Sequence, residues 1–313
     1  MRIVVTGAAG FIGSHLCEAL LKSGNSVYGI DNYATGMKEN ILHLKRFKGF
    51  NFIHHNVEKP FPKSLVRIDT VYHLAAIASP WKYLLNKLPT LNTNVFGTLH
   101  ALTFCHHSHA AMVLASTSEV YGDPEVHPQH ESYWGKVNPI GPRACYDEGK
   151  RVAETYATVF QSEYRVRVGI ARIFNTFGPQ MAEDDGRPIV NFTLQAIRNT
   201  PITIYGSGKQ TRSFCYVDDT VQGLIAVRRF GLGKGPFNIG NPDERSIVSI
   251  AQLIRAKVNP RARIKKLPAV EDDPQKRKPD IHKAEKILHW HPVRSFEYGL
   301  EKTIAWVVQR YVK

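Results

Sequence analysis

The sequence predicts an α/β protein in which a doubly wound parallel sheet of the Rossmann type carries a smaller C-terminal α+β lobe. Three observations lead to this prediction. Short β-rich runs alternate with amphipathic helical stretches over the first half of the chain, which is the spacing of strand–helix–strand units. A glycine-rich turn directly follows the first run, and the regular alternation stops near Asn175.

The first half contains β-rich runs that we interpret as buried parallel strands. They lie at residues 3–6, 26–30, 51–55, 70–74, 111–115 and 166–172. Helix-like segments lie between them at residues 13–22, 91–106 and 146–163. Because parallel strands need crossover connections, this alternation favours right-handed βαβ units.

The pattern changes after Asn175, which indicates a second lobe. Helices are predicted at 188–199 and 218–229, strands at 202–205, 211–216 and 236–239, and a basic loop at 272–280. We therefore expect a dinucleotide-binding domain at 1–174, with return segments near 214–240, and a substrate-binding lobe at 175–313. Ligands of such folds bind at the carboxyl edge of the sheet.

The overall composition is typical of a globular protein, with 43% hydrophobic and 22% charged residues among 313. No run approaches the roughly 20 apolar residues that cross a bilayer, so we expect no membrane partner. The first residues lead directly into the glycine-rich turn without a charged leader or an apolar targeting run. We therefore expect a cytoplasmic protein.

The net charge of +14 has two interpretations, a nucleic-acid surface or solvated lysines and arginines of which a few bind an anionic small ligand. Basic residues are spread along the chain, only 255–278 is enriched, and no nucleic-acid motif is present. We favour the small ligand and expect no nucleic-acid partner. The cysteines form no C-x-x-C pair, so we expect free thiols and no metal site. They are Cys17, Cys105, Cys145 and Cys215.

The glycine-rich turn has the chemistry of a phosphate cradle. Gly7, Gly10 and Gly13 follow the first predicted strand and open the first helix. Glycines let the backbone approach a pyrophosphate, and the helix N-terminus supplies free N–H donors. Asp31 ends the second strand, where a carboxylate binds both ribose hydroxyls and repels a 2′-phosphate. We therefore expect NAD rather than NADP.

Tyr146 and Lys150 are four residues apart on a predicted helix, so both project from one face. A tyrosine has an ordinary pKa near 10, and a neighbouring ammonium together with the positive nicotinamide ring favours the phenolate. The preceding strand ends in hydroxyl residues, and Thr117 can bond the sugar hydroxyl whose proton Tyr146 takes. Glu119 is either a solvated loop carboxylate or a general acid–base beside the neighbouring sugar carbon.

Four segments of the chain resemble UDP-glucuronate decarboxylases (UDP-xylose synthases), which belong to the extended short-chain dehydrogenase/reductase superfamily. The segments are STSEVYGDP at 116–124, NPIGPRACYDEGKR at 138–151, ARIFNTFGP at 171–179 and DPQKRKPD at 273–280. The resemblance implies conversion of UDP-glucuronate to UDP-xylose, with NAD as a cofactor that is not consumed. Hydride leaves C4 with Tyr146 as base, and the 4-keto acid loses carbon dioxide. C5 is protonated with the help of Glu119 or a water that it orients, and hydride returns to C4.

The resemblance also implies which residues act in the site. The catalytic set is Thr117, Glu119, Tyr146, Lys150 and Arg277, and the family arginine that matches Arg277 lies near the substrate carboxylate and assists decarboxylation. The cofactor-binding set is Gly7, Gly10, Phe11, Ile12, Gly13, Asp31, Asn32, Thr35, Gly36, Asn56, Val57, Leu74, Ala76, Thr93, Tyr146, Lys150, Thr176 and Arg187. The substrate-binding set is Asn92, Asn175, Tyr205, Gln210, Arg212 and Arg277.

Three positions depart from the family pattern. Asn56 stands where an aspartate near the adenine is usual, and Ala76 and Ile77 replace a Ser-Pro or Cys-Pro pair. Asn92 stands where a substrate-contacting lysine is usual, which removes a cation from the substrate side. The family also pairs two helices per subunit, so we expect a homodimer formed by 91–106 and 146–163.

Two other functions stay open at this point. A UDP-sugar 4-epimerase or 4,6-dehydratase shares the scaffold, but an epimerase needs neither Glu119 nor Arg277, and dehydratases carry an acidic pair where this chain has Ser118 and Glu119. Partial release of the 4-keto pentose by a decarboxylase is also compatible with this sequence. A non-catalytic NAD-sensing or nucleic-acid-binding protein would not need Tyr146 and Lys150.

Overall fold

The computed structural model of the protein describes residues 1–269 and 274–311, so Asp272 and Asp273 of the predicted basic loop lie outside the described residues. The strands are β1 (Arg2–Thr6), β2 (Ser26–Asp31), β3 (Phe50–His54), β4 (Thr70–His73), β5 (Ala111–Thr117), β6 (Val168–Ile173), β7 (Thr176–Phe177), β8 (Ile202–Tyr205), β9 (Thr211–Ser213), β10 (Cys215–Tyr216), β11 (Pro236–Ile239), β12 (Glu244–Ser246), β13 (Ile264–Leu267) and β14 (Lys276–Arg277). The helices are α1 (Phe11–Lys22), α2 (Glu39–Leu42), α3 (Pro80–Leu85), α4 (Lys87–Ser108), α5 (Ala144–Tyr164), α6 (Pro188–Ile197), α7 (Val217–Phe230), α8 (Ile247–Val258) and α9 (Phe296–Tyr311).

Seven strands form the central sheet in the spatial order β11-β6-β5-β4-β1-β2-β3, and every neighbouring pair is parallel. The chain builds outward from β1 to β3 and then crosses back to β4 on the other side of β1. This reversal opens a crevice at the carboxyl ends of β1 and β4, which is where ligands bind in such sheets. The predicted α/β fold class is confirmed.

The sequences of the central strands are continuously apolar because helices cover both faces of the sheet. Side chains alternate along a strand, so Val4 and Leu114 belong to the core beneath α4 and α5. Ile3 and Val113 belong to the core on the other face, which includes residues of α1 and α7. Every residue of β5 is therefore buried.

The C-terminal lobe consists of small sheets and helices. β9 lies between β12 and β14, β8 pairs with β13, and α6 packs against α8 and α9. The chain returns to the central sheet once, where β11 pairs with β6. The predicted strand at 211–216 is interrupted at Phe214, so β9 pairs within the lobe and β10 pairs with β7. The domain boundary at 174/175 stays a prediction.

Two features of the described residues bear on the composition. No helix in ranges 1–269 and 274–311 is long and apolar enough to cross a membrane. All cysteines are unpaired, and Cys17, Cys105 and Cys215 are buried while Cys145 is half-buried. Burial raises the pKa of the three buried thiols, so they stay protonated and pack as small apolar groups.

The central position of β5 predicts a large stability loss for Leu114→Ala. The side chain is fully buried between sheet and helices, and its removal leaves a cavity. We expect the free energy of unfolding to fall by about 2–5 kcal/mol in a urea titration followed by circular dichroism. Leu42→Ala is the matched control, because Leu42 is 55% exposed, and it should change stability by about 0.5 kcal/mol or less. Equal losses in the two variants would contradict the placement of β5.

Candidate active site

The turn between β1 and α1 accepts only glycine at two of its positions. Gly7 has a φ of +71°, and a Cβ placed on Gly13 would lie 2.0 Å from the carbonyl oxygen of Gly7. The amide of Gly10 donates to that same oxygen at 3.1 Å. No side chain caps the N-terminus of α1, so its first N–H groups are available to an anion. This cradle, which any side chain would fill, fits the pyrophosphate of a dinucleotide.

Asp31 ends β2 beside this turn with its carboxylate held by backbone groups. The amide of Ala9 donates to Oδ2 at 2.9 Å and the amide of Tyr33 donates to Oδ1 at 2.7 Å. Burial raises the pKa of Asp31, and these backbone hydrogen bonds oppose the rise. Each oxygen keeps a second lone pair, so a fixed carboxylate can accept from two ribose hydroxyls.

Most of the other predicted cofactor residues follow the four neighbouring strands β4, β1, β2 and β3. Phe11 and Ile12 open α1, while Asn32, Thr35 and Gly36 follow β2, and a Cβ on Gly36 would lie 3.0 Å from Ala9. Asn56 and Val57 follow β3, and Leu74 and Ala76 follow β4. Thr93 on α4 donates to Glu58 at 2.8 Å, which brings α4 to the segment after β3. These residues therefore line the same edge of the sheet.

Thr176 and Arg187 follow β6 in the chain and lie outside the seven-stranded sheet. The Thr176 hydroxyl is buried and engaged, since it hydrogen-bonds the Thr220 hydroxyl at 2.9 Å. Arg187 pairs with Asp185 at 3.0 Å and donates to the carbonyl of Ala78 at 3.3 Å. Arg187 is near enough to Tyr146 for its charge to favour the phenolate. The structure thus places Arg187 beside the site and directs the Thr176 side chain toward α7.

Tyr146 and Thr117 meet at the carboxyl end of β5. The Thr117 side chain hydrogen-bonds the Tyr146 hydroxyl, and Tyr146 is 6% exposed. Burial raises the pKa of Tyr146 to about 12, although the Thr117 bond opposes the rise. The protein without its cofactor therefore holds the neutral phenol, and the lowered pKa that we expected depends on the positive nicotinamide ring as well as on Lys150.

Lys150 is held by the backbone of β5. Its ammonium is buried and donates to the carbonyl oxygen of Ala115 at 2.9 Å. Burial lowers the pKa of Lys150 to about 8, and the charge of Glu154 opposes that change. In the protein without cofactor, desolvation of the two side chains thus outweighs the stabilisation of the Tyr146 phenolate by Lys150 that the i, i+4 spacing predicted.

Sequence analysis missed Tyr83, which lies against the predicted base. The rings of Tyr83 and Tyr146 stack in parallel, with centroids 5.1 Å apart and an interplanar angle of 4°. Tyr83 is 1% exposed, and its hydroxyl has no hydrogen-bond partner among the residues that the structure describes. The only local signal is Ser79-Pro80, since proline favours the first turn of a helix, and α3 begins there.

Glu119 is held between two arginines. Arg277 Nη1 donates to Oε1 at 2.8 Å, and Arg143 Nη2 donates to Oε2 in a short hydrogen bond. Burial disfavours the charged carboxylate, but Arg277, Arg143 and the more distant Arg212 outweigh it and lower the pKa of Glu119 to about 2. Glu119 is therefore an anion at neutral pH.

Arg277 reaches this cluster because of a strand pairing in the lobe. β14 runs parallel to β9, with Arg277 opposite Arg212. The Arg277 side chain is 1% exposed and also donates to Ser118 Oγ at 2.9 Å and to the carbonyl of Gly122 at 2.8 Å. The sequence predicted Arg277 and Glu119 as separate site residues, and the structure brings them into direct contact.

Arg143 and Asp147 complete the cluster, and sequence analysis singled out neither. Arg143 Nε lies 3.8 Å from Asp147 Oδ2, one helical turn along. Burial and the charge of Glu119 raise the pKa of Asp147 to about 7, while Arg143 opposes the rise. The signal that could have found them is Arg143 itself, since the residue before a helix is usually Ser, Thr, Asp or Asn.

The predicted substrate residues of the lobe lie on or next to the short strands β7, β8 and β9. Gln210 Nε2 donates to the carbonyl of Tyr205 at 2.8 Å, and Tyr205 is 47% exposed. Arg212 lies on β9 beside Arg277, and the carbonyl of Asn175 accepts from Cys215 at 2.8 Å. Asn92 is half-buried on α4. An exposed aromatic ring suits a base, and a guanidinium suits a diphosphate.

The described chain matches known proteins over almost its whole length. Residues 3–240 match the model of the NAD dependent epimerase/dehydratase family. UDP-glucuronic acid decarboxylase 1 of Danio rerio is 50% identical over 305 residues, covering 97% of this chain and 72% of that protein. UDP-glucuronic acid decarboxylase 1 of Arabidopsis thaliana is 50% identical, covering 97% of this chain and 69% of that protein.

Solved structures also resemble this one. A UDP-glucuronic acid 4-epimerase from Bacillus cereus, in complex with UDP-glucuronic acid and NAD, superposes with a TM-score of 0.90 at 32% identity and covers 99% of this chain and 100% of that chain. A UDP-glucose 4-epimerase from Thermotoga maritima, with UDP-glucose, superposes with a TM-score of 0.89 at 28% identity and covers 99% of each chain. The scaffold is thus shared between enzymes with different products.

The held carboxylate of Asp31 predicts the nucleotide preference. Asp31→Asn removes the charge without changing the shape, so NAD affinity should fall by about 10- to 100-fold while NADP affinity falls less or rises. Calorimetric titration of nucleotide-free protein with each nucleotide measures this. Asp69→Asn is the control, because Asp69 accepts from the amide of Arg2 at the opposite end of the sheet. Unchanged NAD affinity in Asp31→Asn would contradict a ribose contact.

Proposed function

The chain belongs to the NAD dependent epimerase/dehydratase family, and we infer that it acts there as a UDP-glucuronate decarboxylase. It converts UDP-glucuronate to UDP-xylose and carbon dioxide, with NAD as its cofactor. The observation in the site that carries this function is the anionic Glu119 clamped by two guanidiniums next to the Tyr146–Thr117 pair. Oxidation at C4 needs the Tyr146–Thr117 pair, and chemistry at C5 calls for Glu119 with its two arginines.

The glycine turn and Asp31 would hold the cofactor, with its pyrophosphate at the N-terminus of α1. When bound, NAD supplies the reversible two-electron oxidation at C4 of the sugar. Thr117 and Tyr146 orient the C4 hydroxyl, and the phenolate form of Tyr146, which the positive charge of the nicotinamide ring would favour, receives its proton. Because the phenol is buried, this proton stays in the site and is available when C4 is reduced again.

Loss of carbon dioxide follows from the position of the C4 ketone, which is β to the carboxylate. The electron pair of the broken C5–C6 bond moves to the C4 oxygen and gives an enolate. The hydroxyls of Tyr146 and Thr117 donate hydrogen bonds to that oxygen, so they stabilise the charge where it develops. A neutral Tyr146 is the form that this step needs.

Protonation of C5 needs a donor other than Glu119 alone. Because its pKa is about 2, Glu119 carries no proton at neutral pH. We propose that the carboxylate accepts one hydrogen bond from a water whose other proton goes to C5, and that the hydroxide left behind takes up a proton from solvent. Arg277 acts through Glu119 in this arrangement, and it adds positive charge on the side where the substrate carboxylate leaves.

The substrate contacts and the assembly belong to the same proposal. Arg212 would bind the diphosphate and Tyr205 would stack on the uracil, with Gln210 and Asn175 beside them. We further propose a homodimer in the cytoplasm. Its support is an exposed apolar face on α4 and α5, made by Leu88, Leu91, Val152 and Val159, which are 66%, 36%, 37% and 43% exposed.

The reaction itself is tested by incubating the protein with UDP-glucuronate and identifying products by NMR and mass spectrometry. We expect UDP-xylose and carbon dioxide without net reduction of NAD. Tyr146→Phe should lower kcat by about 100- to 10,000-fold, because the proton acceptor is lost. Tyr164→Phe, on the same helix but 51% exposed, should leave kcat unchanged. UDP-galacturonate without carbon dioxide would replace the decarboxylase by a 4-epimerase.

The dimer is tested with charged substitutions on the shared apolar face. Val152→Asp combined with Val159→Asp places two carboxylates on one face of α5, because the positions are seven residues apart. We expect a monomer in sedimentation equilibrium at concentrations where the unchanged protein is a dimer. Val66→Asp is the control, since Val66 is 53% exposed and lies outside α4 and α5. A dimer that persists in the double variant would remove these helices from the interface.

A further inference from the structure

We propose that Arg143 is a positioning residue for decarboxylation and reprotonation: it fixes the Glu119 oxygen that Arg277 leaves unbound and supports the Tyr83–Tyr146 ring stack. Asp147 is its counter-ion. The inference rests on the proposed function, because it assigns Arg143 to the half-reaction at C5.

Arg143 touches three groups of the site. Nη2 donates to Glu119 Oε2, whereas Arg277 donates to Oε1, so the two arginines fix different oxygens. Nε lies 3.8 Å from Asp147 Oδ2. The guanidinium carbon lies 5.9 Å from the centre of the Tyr83 ring, whose other neighbour is Tyr146. One side chain therefore joins the carboxylate to the proton acceptor.

The local structure disfavours an arginine at this position. Arg143 directly precedes α5, forms no capping hydrogen bond there and is 8% exposed. The N-terminus of a helix carries partial positive charge, so a buried cation at that point is repelled. The carboxylates of Glu119 and Asp147 offset this repulsion. A residue that breaks a local preference and depends on a tertiary contact is characteristic of a functional site.

Asp147 has the features of a counter-ion within the cluster. It is 6% exposed, and its Oδ1 atom is buried without a hydrogen-bond partner among the described residues. The charged groups that act on it are Glu119, Arg143, Arg277 and Glu148. Basic and acidic groups thus alternate through the cluster, in the order Arg277, Glu119, Arg143 and Asp147. Removing Arg143 leaves two acidic groups facing each other and Glu119 fixed on one side only.

Arg143→Met and Arg143→Lys test the role. The methionine keeps much of the apolar stem but neither charge nor donors, and we expect kcat to fall about 100-fold with KM within about threefold. The lysine restores the charge as a single point without the fork, so it should recover about 10-fold of that loss. A loss in kcat alone is expected because Arg143 contacts Glu119, which acts at C5 in the proposed reaction, and Arg143 is not one of the proposed substrate-binding residues.

The pH profile separates positioning from a purely structural role. Arg143 lowers the pKa of Glu119, so Arg143→Met raises it, and the acidic limb of kcat should move to higher pH. Arg294→Lys is the matched control. Arg294 pairs at 2.6 Å with the carboxylate of Asp219, which is 2% exposed and lies on α7, away from the cluster. This variant should lower Tm while kcat and its acidic limb stay unchanged.

Several results would overturn the proposal. Arg143→Met with kcat within about threefold of the unchanged protein and an unmoved acidic limb would do so. A raised KM with unchanged kcat would instead make Arg143 a substrate-binding residue. If Arg143→Met does not fold, the same criteria apply to Arg143→Lys. If the unchanged protein forms neither carbon dioxide nor UDP-xylose, the proposed function fails; if it does and the variants match it, only the role of Arg143 fails.

Discussion

A carboxylate that is mostly removed from solvent is stable only when opposite charges surround it, and the arrangement of Glu119 follows from that requirement. Its two arginines come from different parts of the chain, Arg277 from the lobe strand β14 and Arg143 from the start of α5. The ion cluster therefore ties the lobe to the carboxyl edge of the sheet. Breaking such a pair typically costs about 3–5 kcal/mol, because it leaves one charge unpaired.

Two neighbouring groups of the proposed site have pKa values shifted in opposite directions. The arginines lower the pKa of Glu119 to about 2 and burial raises that of Tyr146 to about 12, so at neutral pH and without cofactor the first is charged and the second is neutral. Groups whose environments push their pKa values apart take different chemical roles. Tyr146 is suited to exchange a proton with the C4 oxygen, and Glu119 is suited to orient a neutral donor at C5.

A common scaffold thus supports different products. The sheet, the glycine turn and the Tyr146–Lys150 helix suit oxidation at C4, a step that the proposed reaction has in common with a 4-epimerase. The arginine-flanked Glu119 lies beside the Tyr146–Thr117 pair, and we propose that it acts at C5, where a 4-epimerase needs no chemistry. Function on this fold is therefore decided by a few side chains around the reacting carbons rather than by the fold itself.

The sequence by itself determined the features that depend on nearby residues. Strand–helix alternation predicted the parallel sheet, glycine spacing with Asp31 predicted the dinucleotide turn, and family resemblance identified Glu119 and Arg277 as site residues. Only the tertiary structure placed Arg143 and Tyr83 beside the predicted site residues and showed that burial raises the pKa of Tyr146 in the protein without cofactor. Periodicity and turn chemistry depend on residues that are close together in the sequence, so the sequence alone is enough to predict them. Desolvation and charge pairing depend on which distant segments the fold brings together, so they appear only when the chain is folded.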